Sequence, residues 1–406
     1  MIINETDHLA GPSGETPAHR HLCDGGPGRA RITRIVQTVL LIAAGCLVGC
    51  RDDRPAVVLY VSADETVARS VIAAFEREHA YRVDIVTDTE ARKTTGLVER
   101  LRAERDAPVA DVFWSSENVL TIGLAGEGIL APSMPAAASE RPESSRDADG
   151  RWHAFAARAR VIAYAPDRVP EADRPVAWTD LGRDRWRGRV VMADPRFGTT
   201  GTHLAAMRSW WDRRVMPGYY DAFLLGLRDA GVRMLPSGNA GAVRAIIDGE
   251  ADLAMTDTDD VWAARAAGHD IGIIYPTHSK DPGSGHGTLL IPNTVGLVTG
   301  GPNPDGGLVL MNYLLSPAVE RMLAESPSRN VPMHPSLQDA YPDLAVPDPL
   351  AVNWARAASV RDAAVARAMR LLAGEASGRD WPDGGTGETI DRTPAAAPVM
   401  PGDDGA

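Results

Sequence analysis

Residues 57–79 read VVLYVSADETVARSVIAAFEREH, and the fold turns on how this stretch is read. The five apolar residues 57–61 form an unbroken run, the pattern of a strand buried on both faces. Ser62-Ala63-Asp64-Glu65 then predicts a capping box. Val67, Val71, Ile72 and Phe75 follow at helical spacing and mark one apolar face. A strand, a polar turn and an amphipathic helix in that order make one unit of a parallel α/β sheet.

The unit recurs along the chain. Residues 83–86 predict the next strand, and Thr95 opens a helix carrying Leu97, Val98 and Leu101. Residues 110–114 predict a strand, and Ser115-Ser116-Glu117 caps the helix after it. Further strands are expected at 160–164, 190–192, 253–255, 271–275 and 294–298. After several strands the chain supplies Ser, Thr, Asp or Gly before a helix. These turns are Ser62, Asp64 and Glu65; Ser115 and Ser116; Gly198-Thr199-Thr200-Gly201-Thr202; and Asp257, Asp259 and Asp260. In an open parallel sheet such turns share the carboxyl edge of the strands, where ligands bind. Helix N-termini aim unpaired N–H groups into that crevice.

The ends of the chain are of another kind. Residues 31–50, RITRIVQTVLLIAAGCLVGC, place Arg31 and Arg34 before a short apolar run that ends in Leu47-Val48-Gly49-Cys50. The run is short for a bilayer span and fits the apolar region of a secretory signal. Leu47 to Cys50 resembles a bacterial lipobox, whose Cys becomes the acylated N-terminus; the competing reading is an uncleaved anchor helix. Ala43-Ala44-Gly45-Cys46 fits less well because it lacks the Leu. Residues 1–49 are therefore expected to be removed, together with the His19-Arg20-His21-Leu22-Cys23 cluster. All three cysteines, Cys23, Cys46 and Cys50, lie at or before this point, so no disulfide is expected in the mature fold. Residues 374–406 are rich in Gly, Pro, Asp and Ala and predict a disordered tail. With 42 basic and 54 acidic residues, net charge −12, and no basic stripe among aromatics, a nucleic-acid partner is not expected.

The order and spacing of several segments carry a family resemblance. They include residues 57–79, ADVFWSSENVLTIGLAGEGIL at 110–130, WTDLGRDRWRGRVVMADPRFGTTGTHLAAM at 178–207, GNAGAVRAIIDGEADLAMTDTDD at 238–260, and residues 289–333. Together the segments resemble a periplasmic solute-binding protein of an ABC importer, in the group of the ferric-iron-binding proteins. The resemblance implies two α/β lobes, each a mostly parallel sheet flanked by helices, joined by a hinge that closes on solute. It implies an ABC permease and its ATPase as partners, a monomer, and no cofactor beyond a metal ion carried as cargo. The expected boundaries are 50–158 for the first part of lobe 1 and 159–276 for lobe 2. The chain should return to lobe 1 at 277–318, with C-terminal helices at 319–373 mostly on lobe 2. In the ferric-binding relatives the place of Thr258-Asp259-Asp260 is usually Thr-Tyr-Tyr, and those phenolates hold iron. Here the ligands are not carried over.

Three readings of the acids follow. Asp257 or Thr258 caps a helix, with Asp259 and Asp260 in its first turn. Alternatively, Asp259 and Asp260 coordinate a metal with other oxygen donors such as Glu65 or Glu117. Or the carboxylates pair with an amine or hydroxyls of an organic solute. The Gly/Thr turn at 198–202 suits a carboxylate or phosphate, but it lacks the Lys of a nucleotide-binding loop. A solute of both charges, or a metal carried with an anion, would satisfy both sides. Arg160 is expected to reach the ligand or, like Arg158, to form a structural ion pair. His203 is expected at the surface, and His278 and His286 in a mobile Gly-rich loop. Trp210, Trp211, Tyr219 and Tyr220 are expected to pack. No nucleophile elbow, catalytic Cys or H-E-x-x-H motif is present, so a binder is expected before an enzyme using the acid cluster. A ligand sensor would share the fold.

Overall fold

One strand joins the two halves of the molecule. The computed structural model describes residues 52–88, 93–279 and 285–375. In chain order the first lobe opens with β1 (Ala56–Val61), α1 (Glu65–Glu78), β2 (Arg82–Val86), α2 (Lys93–Ala103), β3 (Val112–Ser115), α3 (Val119–Gly126) and β4 (Leu130–Ala131). The crossing strand is β5 (His153–Tyr164). The second lobe holds β6 (Val190–Ala193), α4 (Gly198–Arg214), α5 (Tyr219–Asp229), β7 (Arg233–Leu235), α6 (Gly238–Ile247), β8 (Leu253–Asp257), α7 (Thr258–Ala266) and β9 (Gly272–Ile274). The chain ends with β10 (Leu290–Val298), α8 (Pro304–Leu314), α9 (Pro317–Glu325) and α10 (Trp354–Leu372).

The strands follow the order β2-β1-β3-β10-β5-β8-β6-β7, with β4 on β10 and β9 on β5. Residues 153–159 of β5 pair antiparallel with β10, and residues 160–164 pair with β8 and β9. Pairs β1–β2, β1–β3, β6–β7 and β6–β8 are parallel, as the strand–turn–helix units require. Each lobe carries an apolar core on both faces of its sheet. Val57, Leu59, Phe75 and Trp114 fill one face in lobe 1, and Tyr60, Leu97, Phe113 and Leu124 the other. Trp178, Trp186, Trp210 and Trp211 fill one face in lobe 2, with Val161, Val191 and Val243 on the other. Trp210, Trp211 and Tyr220 thus pack as expected, and the Tyr220 hydroxyl donates to the carbonyl of Ala364.

All twelve residues of β5 are buried, so the strand must be satisfied without water. Its register against β10 slips at Pro292/Asn293, which leaves Ala156 as an extra residue with φ +42°. Such a bulge bends a strand and disfavours an alanine there. Glu320 holds it: its carboxylate accepts from the N–H of Ala156 at 2.9 Å, and from those of Met333 and His334. Arg141 neutralises the buried Glu320 at 2.6 Å. Pro292 has no N–H to give, and Ala157 exchanges both backbone bonds with Val331 instead.

The structure moves one expected boundary. Thr277 still bridges to Ala177, and His278 packs among lobe 2 aromatics, so the return to lobe 1 comes near Leu290 rather than at 277. Helix α9 packs on β5, α1 and α8 of lobe 1, while Val346, Leu350, Val352 and the helix after them pack on the cores of lobe 2. That last helix, α10, lies against α4 and α5, and it also touches α3 of lobe 1. The pairing of β5 passes from β10 to β8 at Ala159/Arg160. The signal region, Cys50 and residues 376–406 lie outside the described residues.

Replacing Glu320 by Ala should cost about 3–5 kcal/mol, because it leaves Arg141 buried without its counter-charge. Urea denaturation checks this. Glu320→Gln, which keeps one acceptor for Ala156, should cost less.

Candidate functional site

The carboxyl ends of β1, β3, β6 and β8 open onto one pocket of about 360 Å³. On lobe 1, three hydroxyls form a mutual cluster. Thr94 donates to Ser62 Oγ at 3.0 Å, Ser62 donates to Ser116 Oγ at 3.2 Å, and the Ser116 N–H donates to Ser62 Oγ at 2.8 Å. Asp64, on the same wall, caps α1 by accepting from the N–H of Val67.

On lobe 2, helices α4, α6 and α7 all begin at the pocket, and none is capped by the side chain of its own N-cap residue. The cap position of α4 is Phe197, which has no acceptor to offer, and Gly198 follows at φ +55°, a conformation glycine tolerates. The uncapped first turns leave partial positive charge at this wall.

Asp257, Asp259 and Asp260 oppose that charge, with one oxygen from each within 4.8 Å of the others. Asp257 occupies the cap position of α7, yet its carboxylate turns away from the helix. It accepts from Thr199 at 2.5 Å, from Asn239 at 2.7 Å and from Arg160 at 3.1 Å. Burial pushes the Asp257 carboxyl up and Arg160 opposes the shift. Thr258 likewise does not cap; its hydroxyl accepts from the N–H of Ala159. The helix-capping reading therefore fails for both side chains. Asp259 accepts from Arg158 Nε at 2.8 Å, while its other oxygen, Oδ1, is buried with no protein partner among the described residues. Asp260 accepts from Thr256 at 3.3 Å. Burial works against the charge of Arg158, but Asp259 and Asp257 outweigh it and hold the guanidinium above its ordinary range.

Of the residues expected at the site, Ser62, Asp64, Ser116, Thr199, Asp257, Asp259 and Asp260 line the pocket. Five do not. Glu65 turns outward to pair with Arg69. Ser115 lies within β3, and its hydroxyl accepts from the N–H of Glu117. Arg160 is fully buried behind the wall, where Thr200 also bonds to it. Thr202 reaches across to lobe 1 and donates to Glu117 at 2.5 Å. Glu117 is no ligand either: it caps α3 by accepting from Val119 and Leu120, and burial raises its carboxyl. Lining residues that were not predicted as ligands include Thr94, Arg158, Asp194, Asn239, Arg244, His269 and Ser328. Asn239 sits in a short strand–turn–helix unit like the others, and that signal could have found it. Nothing in the local sequence marks Thr94.

The histidines also depart from expectation. His203 and His278 are both buried, not surface or mobile. His203 Nδ1 accepts from Arg160 Nε at 3.3 Å, the two Nε2 atoms lie 3.2 Å apart, and His278 Nδ1 lies 2.7 Å from the Gly287 carbonyl. One assignment satisfies every contact. His278 donates to Gly287, His203 donates to His278, and Arg160 donates to His203, with both rings neutral.

The bacterial extracellular solute-binding protein family matches residues 107–360. The chain belongs to this family. It is 24% identical over 278 residues to iron uptake protein A1 of Synechocystis, covering 66% of this chain and 73% of that protein. It is 27% identical over 239 residues to a putative 2-aminoethylphosphonate-binding periplasmic protein of Salmonella paratyphi A, covering 56% of this chain and 64% of the relative. Iron-bound HitA from Pseudomonas aeruginosa superposes with TM-score 0.67 at 22% identity, over 78% of this chain and 99% of that one, a likeness of fold. The two-lobed binding-protein fold read from the sequence is thereby established. So is the class: an extracytoplasmic solute receptor of the ABC-importer type, a binder and not an enzyme.

The histidine chain makes a pH prediction. Burial lowers the pKa of His278 from 6.5 to about 4 and takes that of His203 well below 6.5. A depressed histidine pKa gives stability that is whole above the unfolded value and lost as pH falls. For His278 the loss should run from pH 6.5 towards 4 and amount to roughly 3 kcal/mol. Urea denaturation across that range should show it, with a shallower fall in His278→Gln.

Proposed function

We propose that this receptor captures a small solute carrying both a cationic and an anionic group, such as an aminoalkyl acid, by closing its lobes about β5. The pocket's two-sided charge carries the reading. The cationic end docks on the unpartnered Oδ1 of Asp259 beside Asp260. The anionic end meets the uncapped start of α4 and the Ser62–Thr94–Ser116 hydroxyls. The volume of about 360 Å³ suits a small molecule. The solute stabilises the closed state through contacts that only closure completes, and the cargo passes to the permease and its ATPase. The protein works as a monomer held to a membrane by acyl chains on Cys50, since each buried methylene adds about 0.8 kcal/mol. The name of the aminoethylphosphonate-binding relative supports such a solute.

A second reading is a metal ion carried with an anion. Three carboxylates with oxygens within 4.8 Å of one another favour it, as does the name of the iron uptake relative.

Thermal-shift and calorimetric titration with aminoalkyl phosphonates, aminoalkyl carboxylates, ferric citrate and ferric iron separate the two. Stabilisation by an aminoalkyl acid is expected; stabilisation by iron alone transfers the conclusion to the metal. Asp260→Asn should weaken the aminoalkyl ligand roughly 10- to 100-fold, the loss of one charge-assisted bond. Fractionation of cells should find the protein with membranes, and Cys50→Ser should release it.

A further inference from the structure

Strand β5 brings two arginines to one side of the pocket, because Arg158 and Arg160 are two residues apart and share a face of the strand. Both are buried, and each is bound to one of the acids, Arg158 to Asp259 at 2.8 Å and Arg160 to Asp257 at 3.1 Å. Within this cluster three carboxylates face two guanidiniums, a formal surplus of one negative charge, and Asp64, Asp194 and Arg244 line the same pocket. Resting on the reading above, we propose that Arg158 is the residue that sets the specificity of this pocket, admitting a singly charged cationic group and barring multivalent metal ions.

The geometry gives the reason. Arg158 cannot swing aside, because its three nitrogens have three different partners. Nε holds Asp259, Nη1 holds the Ser116 carbonyl, and Nη2 donates to Asn293 Oδ1 at 3.1 Å. A metal ion sharing oxygens of Asp257, Asp259 and Asp260 would lie close to this fixed, buried positive charge, where repulsion is less screened than in bulk water. It would also find one oxygen of Asp259 already taken, and both oxygens of Asp257 bonded to Arg160, Thr199 and Asn239. What these two carboxylates leave is Asp259 Oδ1 alone, with the Asp260 carboxylate beside it. That suits the N–H groups of an ammonium better than a metal, which needs several oxygens at once. Arg158 is thus a built-in counter-cation that occupies the charge a metal would require.

Terbium(III), a hard trivalent cation without redox chemistry, tests this by calorimetric titration of the wild type, Arg158→Gln and Arg158→Lys. Arg158→Gln should bind terbium about tenfold tighter or more than the wild type, because the repulsion is gone and Asp259 is released. Arg158→Lys retains the charge and should remain as weak as the wild type. Equal terbium affinity in the wild type and Arg158→Gln overturns the proposal, and so does a gain in Arg158→Lys to match Gln. Should Arg158→Gln fail to fold, Arg158→His replaces it. Its imidazole is largely charged near pH 5 and largely neutral near pH 7.5, so tight terbium binding should appear only at the higher pH. Terbium binding that is weak at both values, or tight at both, then overturns the proposal. An aminoalkyl acid titrated into the wild type keeps the two ideas apart. Its binding with no terbium gain in Arg158→Gln ends the specificity role alone, whereas tight metal binding by the wild type without aminoalkyl binding ends the solute reading.

Discussion

The Arg160–Asp257 pair is the contact on which the rest of the site depends. The two residues are cross-strand neighbours in β5 and β8, and both are almost wholly shielded from water. A buried ion pair is tolerable only when its remaining donors and acceptors are also satisfied. Here Thr199, Asn239, Thr200, His203 and the Met255 carbonyl complete it. The pair therefore fixes the start of α4, the start of α6 and the end of β8 relative to one another. With Asp257 committed to Arg160, α7 goes without a side-chain cap, and its N-terminus remains able to favour negative charge in the pocket.

The same economy of partners governs the crossing between lobes. A strand buried along its whole length has to bend, and a bulge at an alanine provides the bend at a cost in backbone strain. Glu320 meets that cost by binding the N–H of the strained residue, and it in turn requires Arg141. The crossing and the pocket share one strand, so Arg158 of the pocket lining lies next to the point where β5 passes from one lobe to the other. Thr202 to Glu117 and Arg158 to Asp259 tie the two lobes across this line.

The strands from residue 57 onward were legible because a parallel sheet buried on both faces leaves continuous apolar runs, and Trp210, Trp211 and Tyr220 declared themselves by helical spacing. The strand ends were legible too, because Ser, Thr, Asp and Gly gather where helices begin. What each side chain there would do was not legible. Ser62, Asp64 and Glu65 look equivalent in sequence, yet one joins a hydroxyl cluster, one caps a helix and one pairs with Arg69 on the surface. His203 follows a Gly/Thr turn that suggests exposure, but the helix it starts is buried through its first three turns.

The sequence by itself determined that two sets of strand–turn–helix units would fold as α/β lobes and that their polar turns would share a carboxyl edge, because periodicity and caps are local properties. The tertiary structure decided which acids remain open to a solute. The partners that close Asp257 and half of Asp259 come from residues about a hundred positions away, Arg160 and Arg158 on the crossing strand. Only the pairing of β5 with β8 brings those charges into contact, and no local pattern encodes it.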